Sequence, residues 1–301
     1  MKALMFEEYG PPDVLHVGDL PEPHAGPGQI RIAVRAAGVN PVDWKIRSGA
    51  SAGFHRIELP HIPGFDAAGV VDEVGSGVDA VRVGDEVFGS TATGASAEYA
   101  VLAAWTRKPP ELSWAEAAAL PSAVETGLRA VDLVGVAAGE TVIVNGAAGG
   151  VGLAAAQFAL ARGAAVVGTA SEANHDYLQG LGITPLRYGD GLAGRVRALT
   201  PRVERAVDAA GHGALPDLIA LTGDASRVIT VADGAAADLG VRFTTGAERR
   251  YWEAFDLAVA LSGSGRFTLP VARTFALADA PEAHRHSESG HVRGKLVLLL
   301  S

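Results

Sequence analysis

The apolar positions of this chain change rhythm twice. Up to about residue 110 they come in short runs rich in β-branched residues, Ile30–Val34, Gly69–Val74 and Glu86–Phe88. Turn signals separate them at Pro21-Glu22-Pro23, Gly26-Pro27-Gly28, Gly75-Ser76-Gly77 and Val83-Gly84-Asp85. Closely spaced short strands with glycine punctuation predict an irregular barrel or folded sheet. From Ser113 the rhythm becomes an alternation of strand-like and helix-like segments. Ser113-Trp114-Ala115-Glu116 has the spacing of a capping box, and the apolar stretch behind it stops at Pro121. Strands are predicted at Thr141–Asn145, Ala165–Thr169, Pro185–Tyr188, Ala206–Ala209, Arg227–Ala232 and Val241–Phe243. Helices are predicted near 150–162, 172–181, 190–199, 214–222 and 248–262. Runs such as Val142–Val144 and Ala165–Gly168 are apolar throughout, as strands buried on both faces must be. The pattern therefore implies a doubly wound parallel sheet.

The last stretch, from about 266, returns to a strand at Phe275–Leu277, a helix at Ala280–His286 and a strand at Leu296–Leu300. It is too short to fold alone and is expected to rejoin the first zone. The expected division is 1–118 with 264–301 as a discontinuous β-rich lobe, and 119–263 as a nucleotide-binding domain. No internal repeat is present.

Composition narrows the chemistry. Of 301 residues 48% are hydrophobic and 20% charged, enough apolar material for a core. There is no cysteine, which removes disulfide scaffolds, cysteine-ligated zinc or iron–sulfur sites and thiol nucleophiles. A net charge of −9 argues against a nucleic-acid footprint. No apolar run is long enough to span a bilayer, and the start lacks a secretory core, so a cytoplasmic location is expected.

The sharpest local signal is Thr141–Gly152 followed by Leu153–Ala161: a buried strand, a glycine turn and an opening helix. Ala148, Gly149, Gly150 and Val151 form the expected cofactor cradle, with the glycines admitting a pyrophosphate close to the backbone. Gly152 allows tight packing of helix on strand. Against the G-x-G-x-x-G pattern, Ala147 stands where the first glycine would be. About 20 residues on, the second strand ends in Gly168-Thr169-Ala170-Ser171 without the carboxylate that an NAD enzyme carries there. Ser171 and His175 can serve a 2′-phosphate, so NADPH is the expected cofactor, with Glu172 as the contrary feature.

With these features in place, the chain resembles the zinc-independent quinone oxidoreductases (zeta-crystallin-like) of the medium-chain dehydrogenase/reductase superfamily. The resemblance is carried by Gly38–Lys45, Ile62–Gly75, Val83–Gly89, Ala97–Ala100, Leu120–Ala130, Gly146–Gly152 and Gly294–Leu298, in family order along nearly the whole chain. It implies a GroES-like lobe completed by the C-terminus, an inserted Rossmann domain, and hydride transfer from NADPH to a quinone or α,β-unsaturated carbonyl. It implies no zinc: the zinc branch has a cysteine within the segment aligned with Gly38–Asp43, Gly-His-Glu at Gly64-Phe65-Asp66, and a four-cysteine lobe near 90–105. By the same resemblance Asn40 and Thr126 are the catalytic candidates beside nicotinamide and substrate. Tyr188 joins Ser171 and His175 at the 2′-phosphate, and Val231 and Ala232 meet the carboxamide through their backbone. Many relatives place an arginine where this chain has Gly290, so the resemblance implies either a weaker phosphate clamp or its replacement by His291, Arg293 or Lys295, and Lys295 is counted with the cofactor site. Trp44 and Phe65 would shape a flat apolar slot, with Lys45 able to supply positive charge. Asp208 reads as a turn partner. A homodimer is implied, joined along the edge strand at Val241–Phe243. The competing readings are a stand-alone enoyl reductase acting on a carrier-bound thioester, and a non-catalytic NADPH-binding relative.

Overall fold

The structure is a computed structural model, and it describes residues 1–53 and 56–300. The chain forms two compact units. The first comprises Met1–Ser122 and Leu269–Ser301, the second Ala123–Thr268. Both seams fall a few residues later than the sequence pattern suggests.

In the first unit the chain runs through β1 (Lys2–Met5), β2 (His16–Asp19), β3 (Ile30–Val39), α1 (Pro41–Arg47), β4 (Asp66–Val74), β5 (Glu86–Thr91), β6 (Tyr99–Arg107) and α2 (Trp114–Ala119). The capping box at the start of α2 forms as predicted: Glu116 N–H donates to Ser113 Oγ at 3.2 Å, and Ser113 N–H to the Glu116 carboxylate at 2.9 Å. After α2 the chain enters α3 (Pro121–Leu133), whose first two residues belong to this unit.

The second unit continues with β7 (Thr141–Asn145), α4 (Gly150–Ala161), β8 (Ala165–Ala170), α5 (His175–Gly180), β9 (Thr184–Arg187), α6 (Leu192–Leu199), β10 (Arg205–Asp208), α7 (Leu215–Thr222), β11 (Val228–Thr230), β12 (Arg242–Phe243) and α8 (Ala254–Gly263). The chain then returns to the first unit as β13 (Val271–Ala276), α9 (Ala280–Glu288) and β14 (Lys295–Leu299).

The first unit's main sheet has the order β13-β14-β3-β4-β5-β6, and β3 also pairs with β6, curling the strands into a barrel. β3 manages both partners by dividing its length: Ile30–Ala33 pair with β6, whereas Ala36–Val39 pair with β14, and the register shifts between Val34 and Ala36. Its core joins both ends of the chain, with Leu4, Phe6, Ile30, Ile32, Val71 and Leu102 packing with Phe275, Leu296 and Leu298. At roughly 1.5–3 kcal/mol per large buried side chain, this shared core holds the C-terminal segment to the first lobe.

Two strands exceed their predicted lengths. β3 reaches Val39 and β4 begins at Asp66, because Arg35–Gly38 and Asp66–Ala68 are mostly small residues with little strand signal. Packing explains their size: α2 lies on β3, β4 and β14, and a Cβ on Gly38 would come within 2.5 Å of Ala118 O. These silent strand ends deliver Asn40 and Asp66 to the site.

The second unit's sheet is wholly parallel, in the order β12-β11-β10-β7-β8-β9, the doubly wound arrangement expected. The helix predicted over 172–181 begins as a 3₁₀ turn, Glu172–Asn174, before α5. The one predicted over 248–262 starts only at Ala254, because the Tyr251 backbone N–H is held by the Glu125 carboxylate at 3.1 Å.

Candidate active site

In the first unit, Asn40 follows β3 as the N-cap of α1, Asp66 opens β4, and Lys295 opens β14. All three are buried. Asn40 Nδ2 donates to Asp66 Oδ2 at 2.9 Å; the Lys295 ammonium donates to Asn40 Oδ1 and, at 3.3 Å, to Asp66 Oδ2. The other Asp66 oxygen accepts from the Ser122 N–H at 2.9 Å and from the Ser122 hydroxyl. Asp43, at the third position of α1, is buried and accepts from the Asn40 backbone N–H at 2.7 Å through Oδ2. Burial pushes the Asp43 carboxyl up to about 7, helped by the Asp66 charge and opposed by the Asn40 N–H and Lys295.

Lys295, expected with the cofactor site, is buried, and two of its three ammonium hydrogens go to Asn40 and Asp66 inside the first unit. The three residues expected to shape an acceptor slot have separate surroundings. Trp44 lines a groove of about 350 Å³ with Gly10, Pro11, Pro12, Arg47, Ser48 and Glu288, a set that includes neither Asn40 nor Phe65. Lys45 places its ammonium 5.7 Å from the Trp44 ring centroid, and Phe65 packs against the unit's apolar core.

In the second unit the glycine turn follows β7 at the point where the sheet order reverses. Gly146 has φ +80°, and a Cβ on Gly152 would lie 2.2 Å from Gly146 O, so α4 can pack against the turn only with glycine there. Gly149 is the N-cap of α4 and its side contains no capping side chain; a Cβ there would meet nothing closer than Gly146 O at 3.5 Å. Ala148, Gly149, Gly150 and Val151 thus form a backbone cradle at a helix N-terminus, the arrangement a pyrophosphate requires.

A chain of buried hydrogen bonds crosses the C-terminal ends of four adjacent strands. Thr169 Oγ1 donates to Asn145 Oδ1 at 2.6 Å, Asn145 Nδ2 to Asp208 Oδ1 at 2.8 Å, and Thr230 Oγ1 to Asp208 Oδ2 at 2.7 Å. Gly146 N–H donates to Thr169 Oγ1 at 3.0 Å, which ties the glycine turn to this belt. Asp208 also accepts from the Gly211 N–H at 2.8 Å, the turn-partner role read from the sequence. The Val231 and Ala232 N–H groups donate to Asp208 O and Thr230 Oγ1.

At the end of β8, Ser171 accepts from Asn174 Nδ2 at 3.0 Å, and His175 Nε2 lies 3.4 Å from Ala170 O. Tyr188, just past β9, is 48% exposed. Sequence reading missed Arg187. Strand register sets it opposite Ala170, and its guanidinium pairs with Glu172 at 3.5 Å. The signal was available as a lone arginine at a strand end, but only pairing of β8 with β9 brings it beside Ser171.

Thr126 sits on α3 within a buried ion pair. Arg129 donates to Glu125 at 3.0 and 3.1 Å, to Thr126 Oγ1 at 3.2 Å and to Thr244 Oγ1 at 2.6 Å. The Thr126 hydroxyl donates to Glu125 at 3.3 Å. Its hydrogen is therefore already engaged, so the side chain is a fixed surface here and not an idle donor.

Comparison with known proteins agrees with this architecture. A model of the alcohol dehydrogenase GroES-like domain matches residues 26–111, and one of the zinc-binding dehydrogenases matches 188–298. A 2-methylene-furan-3-one reductase of Solanum lycopersicum is 30% identical over 99% of this chain and 79% of its own length. The chain belongs to the medium-chain dehydrogenase/reductase family. Within it, human quinone oxidoreductase is 43% identical over 56% of this chain and 53% of that protein, so the match spans about half the length of these curated relatives. Among solved structures, a quinone oxidoreductase from Coxiella burnetii superposes with a TM-score of 0.88 at 32% identity, covering 100% of this chain and 99% of that one. A mycobacterial protein complexed with NADPH gives 0.81 at 31% identity, with both chains covered fully. At the position of the zinc branch's Gly-His-Glu, this reductase-family chain has Phe65, without a donor atom, and Asp66, with both oxygens occupied. Among the described residues no group of three or more His, Asp or Glu side chains is placed to hold a metal ion, and no helix is long and apolar enough to cross a membrane.

Proposed function

We propose that this protein is an NADPH-dependent reductase that delivers hydride to a quinone or another α,β-unsaturated carbonyl without zinc. The observation that supports the zinc-free part of this reading is the Gly64-Phe65-Asp66 segment, set against the Gly-His-Glu of the zinc branch: Phe65 offers no donor atom, and both Asp66 oxygens accept hydrogen bonds, from Asn40, Lys295 and Ser122. The glycine cradle at Ala148–Val151 would hold the pyrophosphate, and Ser171, His175, Arg187 and Tyr188 a 2′-phosphate. The Val231 and Ala232 carbonyls would meet the carboxamide. NADPH, when bound, supplies a hydride. What the protein must add is a fixed donor for the oxygen on which negative charge develops, and the role is assigned to Asn40, whose carboxamide is held by Asp66 and Lys295. Thr126 acts as a rigid wall.

The test is NADPH oxidation with a small quinone and with an enone, with and without a strong chelator. Turnover of at least one, unchanged by the chelator, is expected. Tight NADPH binding with neither acceptor reduced would remove the enzyme reading, and loss of activity on chelation would remove the zinc-free one. The same proposal includes a cytoplasmic location and a homodimer. Supporting the dimer, β12 pairs on one side only and Phe243 is 45% exposed. Sedimentation showing a monomer at micromolar concentration would exclude it.

A further inference from the structure

The chain carries its positive charge almost entirely on arginine: it has four lysines, Lys2, Lys45, Lys108 and Lys295, against twenty-one arginines. One of those few lysines is buried, beside two buried carboxylates, at the junction of β3, β4 and β14. Burying such groups is expensive, and apolar residues of similar volume often serve a core equally well. The ammonium therefore has something to do besides packing.

Its geometry says what. Lys295 can only donate, and the Asp66 carboxylate can only accept. Asn40 lies between them, its Oδ1 on the ammonium and one Nδ2 hydrogen on the carboxylate. With either partner missing, the carboxamide could rotate by half a turn and exchange its nitrogen and oxygen. With both, it has one orientation, and its second Nδ2 hydrogen is the amide hydrogen the clamp leaves over.

We propose that Lys295 is a positioning residue for the reaction, holding the Asn40 carboxamide so that this second Nδ2 hydrogen meets the acceptor oxygen as it gains charge. This inference rests on the reductase reading given above. It separates two tasks open to one lysine. A lysine that bound cofactor phosphate would govern NADPH affinity; one that clamps Asn40 governs turnover at fixed affinity. Hydrogen bonding to Asn40 Oδ1 is the essential part, so a neutral donor of similar length should largely replace the ammonium.

Lys295→Met and Lys295→Gln test this together. Both remove the cation from Asp66, so any common loss of stability cancels between them. Lys295→Met is expected to lower kcat at least thirtyfold with NADPH affinity, read by nucleotide fluorescence, within about twofold of the parent. Lys295→Gln, whose amide can still donate to Asn40, is expected to recover most of that loss. Asn40→Ala should match Lys295→Met, and the double variant should be no slower than Asn40→Ala alone. Equal losses in Met and Gln, multiplicative losses in the double variant, or weakened NADPH binding with kcat intact would each overturn the inference.

A measurement on the unaltered protein keeps the question open to test if the variants do not fold. The chain has three asparagines, Asn40, Asn145 and Asn174. Selective ¹⁵N-asparagine labelling therefore yields three side-chain amides, and Asn40 is expected to show two widely separated proton shifts, one of them carboxylate-bonded. Equivalent, rapidly averaging protons would overturn the clamp. Absence of turnover in the parent protein overturns the reductase reading itself, whereas turnover indifferent to Lys295→Met overturns only this inference.

Discussion

Glu125 and Arg129, one helical turn apart on α3, form an ion pair in which both side chains are at least 97% buried. The pair joins distant parts of the second unit, since Arg129 also reaches Thr244 and Glu125 also holds the Tyr251 backbone. Removing Glu125 leaves Arg129 charged and buried without its carboxylate, and loss of one partner of such a pair typically costs about 3–5 kcal/mol. Glu125→Leu is accordingly expected to lower the midpoint of chemical denaturation by that order. The double variant Glu125→Leu/Arg129→Met should recover much of the loss. A single variant as stable as the parent would show that the pair is not load-sharing in this way.

Two buried groups give opposite pH dependences. The Asp43 carboxyl, pushed up to about 7 from 3.8 by burial, keeps its proton in the folded protein after the unfolded chain has lost it. Its contribution is complete below pH 4 and is lost as pH rises through 7. His284, pulled down to about 3 from 6.5 by burial and then by Arg47, behaves in reverse: its contribution is present above pH 6.5 and lost as pH falls towards 3. Each is worth about 1.4 kcal/mol per pH unit over which folded and unfolded states differ by one proton. Asp43→Asn should flatten the decline in stability between pH 4 and 7, and His284→Gln the acid loss between 6.5 and 3. Denaturation midpoints across pH 3–8 that keep the parent's shape in either variant would contradict the assignment.

The two glycines at the head of α4 should fail differently. Gly152→Ala places a Cβ against Gly146 O, so the turn or helix must shift, and a clear fall in melting temperature is expected. Gly149→Ala meets only ordinary contacts and keeps an extended φ of −79°, so the fold should survive. Its methyl group instead occupies the cradle, and NADPH affinity should fall at least tenfold. Equal nucleotide affinity in Gly149→Ala and the parent would place the pyrophosphate elsewhere.

Arg187 and Glu172 face one another at 69% and 74% exposure, so their pairing adds little stability. Their effect should appear in cofactor choice. Arg187→Ala is expected to weaken NADPH binding about tenfold while leaving NADH unchanged, the order of one charge-assisted hydrogen bond. Glu172→Gln should strengthen NADPH by removing a like charge. Parallel titrations with the two nucleotides check both, and equal weakening of NADPH and NADH in Arg187→Ala would deny it a role at the 2′-phosphate.

By itself the sequence determined what depends on neighbours along the chain. The βα alternation, the glycine turn after Thr141–Asn145 and the Ser113–Glu116 capping box are written in local periodicity and side-chain type, and they formed within a few residues of the positions read. The absence of cysteine likewise needed no fold to interpret. Tertiary structure decided what depends on meetings between distant segments. Lys295 and Asn40 are 255 residues apart, Arg129 and Thr244 115 apart, and nothing in the local pattern of either member marks its partner. The strand ends carrying Asn40 and Asp66 were nearly silent because packing beneath α2 demands alanine and glycine there, residues with little strand preference. From the sequence Lys295 is counted with the cofactor site, as one of the cations before the last strand. Only the pairing of β14 with β3 turns it inward, where a buried ammonium has to find a carboxylate and an amide oxygen, and finds both on Asp66 and Asn40.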